Sequence, residues 1–334
     1  MRKRFWGLCL AVGVLLSSSV QAQEKAEIKI TRQPSIIYMP TYIMEANNLI
    51  ESRAAALGVP NLKVDWVSFN GGGNATDALL SNSVDVVNTG VGNMLLLWDR
   101  TRGGVKGIVA TSAEPLTLIT RNPAIKTLRD YTPQDKIALP TVRISTQAIL
   151  LQIACEEAFG PGQGAKLDTN TVQLGHPDAT GAMLDPHGEI TSHFSAPPFV
   201  FEELRRVPGA HVVTDSQQIM GTPLTVAVMF TTTRFANANP KLVQAVKEAS
   251  ADALAYLQAH TAEAVAIYRR ASKDPTSQDD LLAMLKQPGM MDFSTKPQGT
   301  MRFAEHMHKV GLLKTRPKAW TDYFLPIAQD LDGN

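Results

Sequence analysis

Short runs typical of β-strands alternate along the chain with longer segments whose apolar residues recur at helical spacing. Residues 27–31 (EIKIT) alternate apolar and polar positions, and residues 84–89 (VDVVNT) form a β-branched, largely apolar run. Residues 41–57 have apolar positions at helical spacing and end at Gly58, a common helix terminator. This alternation favours an α/β fold with mostly parallel sheets.

The same alternation of strands and helices continues to residue 232. Beyond residue 232 nearly the whole sequence has the apolar spacing of helices. The predicted strands are 27–31, 63–69, 84–89, 106–111, 116–120, 136–139, 171–174, 189–194, 210–214 and 224–232. The predicted helices are 41–57, 74–80, 93–99, 145–159, 177–184, 197–205, 240–257, 261–271, 278–285 and 299–310, with a further helical region around residue 323.

The order of these elements predicts two α/β lobes, the second inserted into the first. Lobe 1 is expected to be discontinuous, with residues 23–113 and 222–334, and lobe 2 to consist of residues 114–221. The two crossings, near 113–115 and 221–223, carry proline and small residues and are short. Two short crossings predict a hinge that allows opening with little sliding, with the helical C-terminal region packed on lobe 1.

The N-terminus has the pattern of an export signal. Arg2, Lys3 and Arg4 precede an apolar stretch over residues 5–16, and residues 20–22 (VQA) have the small-x-small form of a cleavage site. The apolar stretch is shorter than the roughly 20 residues that span a bilayer. We therefore predict a signal peptide over residues 1–22 and a periplasmic protein, with an uncleaved anchor as the alternative.

Charge and cysteine content exclude several classes of protein. Removing the signal lowers the formal net charge from +1 to −2, which leaves no basic surplus for nucleic acid. Cys155 is then the one remaining cysteine, on an apolar helical stretch that indicates packing. The spacing of His176, His187 and His193 fits no recognised metal-binding pattern. We predict no metal and no cofactor.

Several segments together resemble one family. They are residues 28–39, 45–50 (EANNLI), 71–79 (GGGNATDAL), 84–90 (VDVVNTG), 136–140 (KIALP), 145–147 (STQ) and 196–199 (APPF). In order and spacing the chain resembles the nitrate/sulfonate/taurine-type solute-binding proteins of ABC importers. The resemblance implies a type II periplasmic-binding-protein fold, a ligand held between the lobes, no enzymatic activity, a monomer, and the importer's membrane permease subunits as partners.

Junctions between strands and helices supply the candidate ligand-binding residues of lobe 1, because ligands of open α/β sheets bind beyond the carboxyl ends of the strands. Gly72, Gly73 and Asn74 expose backbone N–H groups to an oxyanion, unless they form a plain turn. No Lys-Ser/Thr follows them, so they are not a Walker A loop. Thr89 and Gly90 offer hydroxyl and amide donors after a buried strand.

In lobe 2, Ser145 and Thr146 open a helix, where the alternative for Ser145 is an ordinary N-cap. Arg143 is either a charge partner of the ligand or a surface residue. His193 ends a strand and is either a donor to an anion or a buried core histidine. The remaining candidates, from this strand end and from the loop that the resemblance places at the pocket, are Ile37, Tyr38, Phe194 and Ser195.

The predicted function is capture of a small organic anion of sulfonate, nitrate or carboxylate type for an importer. The alternative ligand is a pyrimidine or aromatic compound held between Tyr38 and Phe194. Hydroxymethylpyrimidine phosphate synthases resemble the chain as well, and they are the enzymatic alternative. That family carries a cysteine-rich active-site motif, whereas one cysteine remains here after signal removal.

Overall fold

The structure, a computed structural model, describes residues 24–334 and contains two five-stranded sheets flanked by helices. The predicted signal peptide, residues 1–22, lies outside the described residues. The strands are β1 (Glu27–Arg32), β2 (Lys63–Ser68), β3 (Val86–Gly90), β4 (Val105–Ser112), β5 (Thr117–Thr120), β6 (Lys136–Leu139), β7 (Thr171–Gln173), β8 (Ile190–Ser195), β9 (His211–Asp215) and β10 (Ala227–Thr232).

The α-helices lie between these strands and after the last of them. They are α1 (Met39–Ala46), α2 (Leu49–Ala56), α3 (Gly72–Leu80), α4 (Val91–Arg100), α5 (Thr146–Phe159), α6 (His176–Leu184), α7 (Phe199–Arg206), α8 (Ser216–Met220), α9 (Thr233–Ala238), α10 (Pro240–Ala259), α11 (Thr261–Ser272), α12 (Gln278–Leu285) and α13 (Thr300–Lys309). Short 3₁₀ helices cover Ile36–Tyr38, Leu128–Asp130, Gly164–Asn170, Trp320–Asp322 and Pro326–Leu331.

Each sheet has one strand that runs against its neighbours. The first sheet has the order β2-β1-β3-β10-β4, and β10 is antiparallel to both β3 and β4. The second has the order β7-β6-β8-β5-β9, and β5 is antiparallel to both β8 and β9. The remaining pairs are parallel. The predicted two-lobed α/β fold with mixed, helix-flanked sheets is confirmed.

We call the body built on the first sheet lobe 1 and the body built on the second sheet lobe 2. The chain leaves the first sheet after β4 and returns to it at β10, so all strands of the second sheet come from the intervening segment. The residues at which one lobe ends and the other begins, 113/114 and 221/222, stay predictions.

The helices after β10 cover lobe 1. Helix α10 packs against α1, α2 and β4, and α11 packs against α1. The apolar residues of α10 that the sequence pattern placed on one face are all buried: Leu242, Val246, Ala249, Ala253 and Leu257. Burial of this stripe holds α10 against the sheet, as an amphipathic pattern predicts.

Several elements differ from the sequence prediction, among them three predicted helices of lobe 1. The single helix expected over residues 41–57 is wrong, because the chain breaks between α1 and α2 at Asn47 and Asn48. Asn48 has φ +47°, a left-handed conformation that asparagine adopts at lower cost than most residues. Helices α3 and α4 begin two residues earlier than predicted, so Gly72 and Gly73 form a first helical turn and not a loop.

Within residues 24–334, none of the helices combines the length and the apolar composition that crossing a bilayer requires.

Candidate ligand-binding cleft

A small cavity lies between the two lobes and is bordered by both; we call it the cleft cavity. Its volume is about 30 Å³, room for about two water molecules. The residues that line it on lobe 1 and at the crossings are Gln33, Pro34, Ile37, Tyr38, Asn70, Gly72, Thr89, Gly90, Asn93, Leu116 and Val226. Those of lobe 2 are Pro140, Thr141, Ser145, Thr146, Gln147 and His176. The lobes are thus nearly closed on each other.

Four helices begin at the cleft cavity, two from each lobe. Gly72 is the first residue of α3, and Gly90 is the N-cap of α4. Thr146 is the first residue of α5, and His176 is the first residue of α6. The amino end of a helix carries free N–H groups and a partial positive charge, which makes it a favourable place for an anion. The cleft cavity thus offers four helix amino ends to an anion without any lysine or arginine in its lining.

Glycines allow α4 to approach α5 closely across the cleft. A Cβ atom added at Gly90 would lie 2.7 Å from Thr146 Oγ1. At Gly92 it would lie 2.7 Å from Ile149 Cδ1 and 3.0 Å from the Ile144 carbonyl oxygen. Because real Cβ contacts are longer, the observed closure depends on the missing side chains.

A side chain of α4 that borders this region has an amide nitrogen without a hydrogen-bond partner. Asn93 is 4% exposed and lines the cleft cavity, and its Nδ2 has no hydrogen-bond partner within the described chain. A buried amide without a partner costs free energy, so a ligand acceptor at this position would be stabilised. The backbone N–H of Gly92 donates weakly to Thr146 Oγ1 across the lobes, at 3.4 Å.

Tyr38 supplies a neutral hydroxyl on the lobe 1 side. Gln33 Nε2 donates to Tyr38 Oη at 3.2 Å and to the Asn88 carbonyl oxygen at 3.1 Å. Burial raises the pKa of Tyr38 well above its usual range. The phenol therefore stays protonated and does not repel an anion.

On the lobe 2 side a chain of buried side chains leads from the cleft cavity into the core. Gln147 Nε2 lies 3.2 Å from His176 Nε2, and His176 Nδ1 lies 2.9 Å from His193 Nε2. His193 Nδ1 lies 2.7 Å from Glu203 Oε1, which also accepts from Thr180 Oγ1 at 2.7 Å. The sequence prediction missed His176 and Glu203. The one available signal was that His176 follows Gly175 at the start of a predicted helix.

Of the twelve predicted ligand-binding residues, seven line the cleft cavity: Ile37, Tyr38, Gly72, Thr89, Gly90, Ser145 and Thr146. The other five do not border it: Gly73, Asn74, His193, Phe194 and Ser195. The last three are fully buried at the end of β8. Gly72 and Ser145 share one cavity although they belong to different lobes.

Two further predictions concern single residues. Ser145 is an N-cap, because its Oγ accepts from the backbone N–H of Ala148 at 3.2 Å, and it borders the cleft cavity as well. Arg143 is exposed and lines a different groove, between α5 and α13, together with Glu156 and Lys309.

Cys155 is buried in α5, and burial raises its thiol pKa to about 12. This agrees with a packing role. Among residues 24–334, no group of three or more His, Cys, Asp or Glu side chains is placed to hold a metal ion.

Several solved structures with the same two-lobed architecture are named as binding proteins. The alkanesulfonate-binding protein SsuA from Xanthomonas axonopodis pv. citri, bound to MOPS, superposes with a TM-score of 0.70 at 16% identity, over 90% of this chain and 99% of that one. The periplasmic aliphatic sulphonate binding protein SsuA from Escherichia coli gives 0.65 at 17% identity, over 90% and 98%. The periplasmic nitrate-binding protein NrtA from Synechocystis PCC 6803 gives 0.69 at 12% identity, over 89% and 84%. At these identities the similarity establishes the periplasmic-binding-protein fold.

The sequence itself assigns the family. The NMT1-like family model matches residues 21–270, so the chain belongs to the NMT1-like family. No curated protein matches the sequence at a significant level.

Proposed function

We propose that this protein is an extracytoplasmic solute-binding protein that captures a small anion, an organic sulfonate or carboxylate or the inorganic anion nitrate, and delivers it to an ABC importer. The observation that carries the proposal is the meeting of four helix amino ends, two per lobe, at one cavity. Each helix amino end stabilises a nearby anion by ~0.3–1 kcal/mol at an exposed site and by up to ~2 kcal/mol when partly buried. Together they hold a small anion without a cationic side chain.

An anion fits the lining better than a flat aromatic ligand does. The pyrimidine alternative requires Tyr38 and Phe194 as two walls, but Phe194 is fully buried and does not border the cleft cavity. The lining is instead rich in amide and hydroxyl donors, among them Thr89, Asn93 and Thr146.

Ligand capture works as a shift between open and closed arrangements of the lobes. A ligand in the cleft cavity touches both lobes only when they are closed, so it stabilises the closed form by its difference in affinity for the two forms. Permease subunits that contact loops of both lobes then recognise the closed form. The predicted signal peptide and the names of the related structures, two of which are called periplasmic, support export of the chain.

The protein is proposed to bind its ligand without converting it. The enzymatic alternative depends on a cysteine-rich motif, and Cys155 is a buried residue outside the cleft lining. The structural neighbours whose names state a ligand are called binding proteins.

Thermal unfolding with a ligand panel tests the proposal. The panel contains nitrate, taurine, alkanesulfonates, aromatic carboxylates and pyrimidines. A true ligand at 100 times its dissociation constant adds ~2.7 kcal/mol to the free energy of unfolding, so we expect Tm to rise by several degrees with at least one anion. A flat response to all anions with a rise for pyrimidines would contradict the proposal. Product formed from any hit would show that the protein is an enzyme.

Replacing Asn93 with alanine is expected to lower anion affinity about 10-fold or more, because hydrogen bonds to charged groups contribute ~1.5–3 kcal/mol. Asn93→Asp should be worse, since it places a carboxylate beside the anion. Isothermal titration with the best anion of the panel measures both. Asn88→Ala is the control, because Asn88 also has a buried, unpartnered Nδ2 but does not border the cleft cavity. Equal losses of affinity in the two alanine variants would show that Asn93 does not bind the anion.

A further inference from the structure

A chain of four buried side chains connects the cleft cavity with the core of lobe 2, and we call it the histidine relay: Gln147, His176, His193 and Glu203. Gln147 and His176 border the cavity, whereas His193 and Glu203 are completely buried. The ring of Phe199 stacks on His176 at 5.6 Å with an interplanar angle of 18°, which fixes the imidazole plane. Gln147 and His176 can contact a ligand because they line the cavity. His193 and Glu203 cannot, so a ligand contact does not account for their presence in the chain of hydrogen bonds.

The hydrogen bonds of the histidine relay can run in two directions. In the first, Glu203 is a carboxylate, His193 donates to it through Nδ1–H, and His176 donates through Nδ1–H to His193 Nε2. His176 Nε2 is then a bare acceptor, which matches the side-chain amide nitrogen of Gln147 at 3.2 Å. This arrangement carries a net charge of −1.

One added proton reverses the direction. His193 becomes an imidazolium that donates through Nδ1–H to Glu203 and through Nε2–H to His176 Nδ1. His176 stays a neutral imidazole but now presents Nε2–H at the cavity side, and the Gln147 amide turns its oxygen to accept this proton and its NH₂ group away from it. The net charge of the relay is then zero.

Burial favours the protonated arrangement when an anion is nearby. Glu203 is 0% exposed, and its Oε2 has no hydrogen-bond partner within the described residues. An unpaired buried carboxylate is costly, and an imidazolium 2.7 Å away compensates it. The pKa of His176 lies well below its usual range because of burial and the neighbouring His193, so the His176 ring stays neutral in both arrangements.

We propose that anion binding in the cleft cavity takes up one proton into the histidine relay. Gln147 is the ligand-side donor through its turned NH₂ group. His176, His193 and Glu203 are positioning residues, because the tautomer of His176 sets which way the Gln147 amide faces. The inference rests on the proposed function and deepens it: the site favours oxyanions that remain ionised at low pH, as sulfonates and nitrate do.

Other charged groups around the relay do not substitute for it. Tyr38, on the facing wall of the cavity, stays neutral because burial raises its pKa. On α6 itself Asp178 is exposed, and on α7 the neighbouring Glu202 pairs with Arg206 at the surface. Glu114, buried in the first crossing, acts electrostatically on Tyr38, and burial raises its pKa, so it is a second carboxyl group near the cavity that could make binding depend on pH. Glu114→Gln should keep the proton uptake that Glu203→Gln loses.

Calorimetric titration with ethanesulfonate, which has no titrating group between pH 5.5 and 9, tests the proposal. Since binding takes up one proton, affinity should fall as pH rises, by up to about 10-fold per pH unit over part of this range. Titrations in two buffers of different ionisation enthalpy should show proton uptake approaching one per ligand. Binding with constant affinity and no proton uptake would overturn the relay while leaving the proposed function intact.

Variants separate the relay from general effects of histidine. In Glu203→Gln the buried charge is gone, so both the pH dependence and the proton uptake should disappear. His187→Asn, which changes an exposed histidine of lobe 2, should keep both. An unchanged pH dependence in Glu203→Gln would overturn the proposal.

Nitrogen NMR of the ligand-free wild-type protein adds a readout that requires neither a variant nor a ligand. His176 should change from the Nδ1–H to the Nε2–H tautomer as pH falls from 9 to 5.5. A fixed tautomer over this range would overturn the proposal. If no anion of the panel binds at any pH, the proposed function fails, and the tautomer measurement still decides whether the relay exists.

Discussion

Replacing Gly92 with alanine is expected to lower the affinity for the bound anion by about 5–150-fold without destabilising the free protein. The added methyl group would lie 2.7 Å from Ile149 Cδ1 and 3.0 Å from the Ile144 carbonyl oxygen, both in lobe 2. Overpacking of this kind typically costs ~1–3 kcal/mol. In the proposed capture mechanism only the closed form brings α4 against lobe 2, so the cost falls on that form and is expected to appear as lost affinity.

The same substitution has a different effect on the free protein. Gly92 is the second residue of α4, and alanine is favoured over glycine in helices by up to ~1 kcal/mol. The thermal midpoint without ligand should therefore stay constant or rise while the dissociation constant increases. Calorimetric titration gives the affinity, and small-angle X-ray scattering with saturating ligand shows whether the lobes still close.

Two other glycines provide matched controls. Gly181→Ala adds a methyl group within α6 where nothing lies within 4 Å, and it should leave affinity unchanged. Gly73 occupies in α3 the position that Gly92 occupies in α4, but its added Cβ would lie 3.5 Å from Thr141, an ordinary contact. Gly73→Ala should therefore have a much smaller effect. If Gly92→Ala binds as tightly as Gly181→Ala, the close approach of α4 to lobe 2 is not part of ligand capture.

Replacing Glu114 with glutamine is expected to remove a large pH-dependent loss of stability. Glu114 lies in the first crossing between the lobes, is 0% exposed, and neither carboxyl oxygen has a hydrogen-bond partner within the described residues. Burial raises the pKa of Glu114 well above its usual range. The carboxyl group is therefore neutral in the folded protein under conditions where it is ionised in the unfolded chain.

The sign of the effect follows from proton binding. Below the unfolded pKa of about 4.3 both states are protonated, and Glu114 causes no loss of stability. Between that value and the raised folded pKa, the folded state holds one proton more, so stability falls by up to ~1.4 kcal/mol per pH unit. Glutamine does not titrate, so the variant lacks this decrease.

Urea unfolding at pH 5, 6, 7 and 8 measures the difference. The free energy of unfolding of Glu114→Gln should increase relative to wild type with pH, by up to ~2.7 kcal/mol between pH 5 and 7. Glu189→Gln, at an exposed site of lobe 2, should give a curve parallel to wild type. A parallel curve for Glu114→Gln as well would mean that the buried carboxyl group is compensated in the folded state.

Local patterns were sufficient to predict the architecture. Alternating and β-branched runs gave the strands of both sheets, and the periodic apolar residues of α10 gave its buried face. These signals are local because side-chain direction repeats every two residues in a strand and every 3.6 in a helix. The helix break at Asn48 was missed, since a left-handed residue interrupts a helix without changing the apolar spacing around it.

Part of the candidate site could also be predicted, because some of its residues have a local signal in the sequence. Glycine, serine and threonine at strand–helix junctions are visible in the sequence, and Gly72, Gly90 and Thr146 do line the cavity. His193 was also expected at a strand end, but it lies within β8, and its side chain contacts Glu203 in the core of lobe 2, a partner that the sequence does not indicate.

The sequence by itself thus determined the order of elements, the insertion of one set of strands into another, and the helix amino ends available to an anion. Only the tertiary structure decided which of those ends share a cavity, that Asn93 keeps an unpaired donor there, and that His176 leads through His193 to Glu203. The physical reason is that partners far apart in the chain are chosen by packing, and packing depends on the shape of the whole molecule.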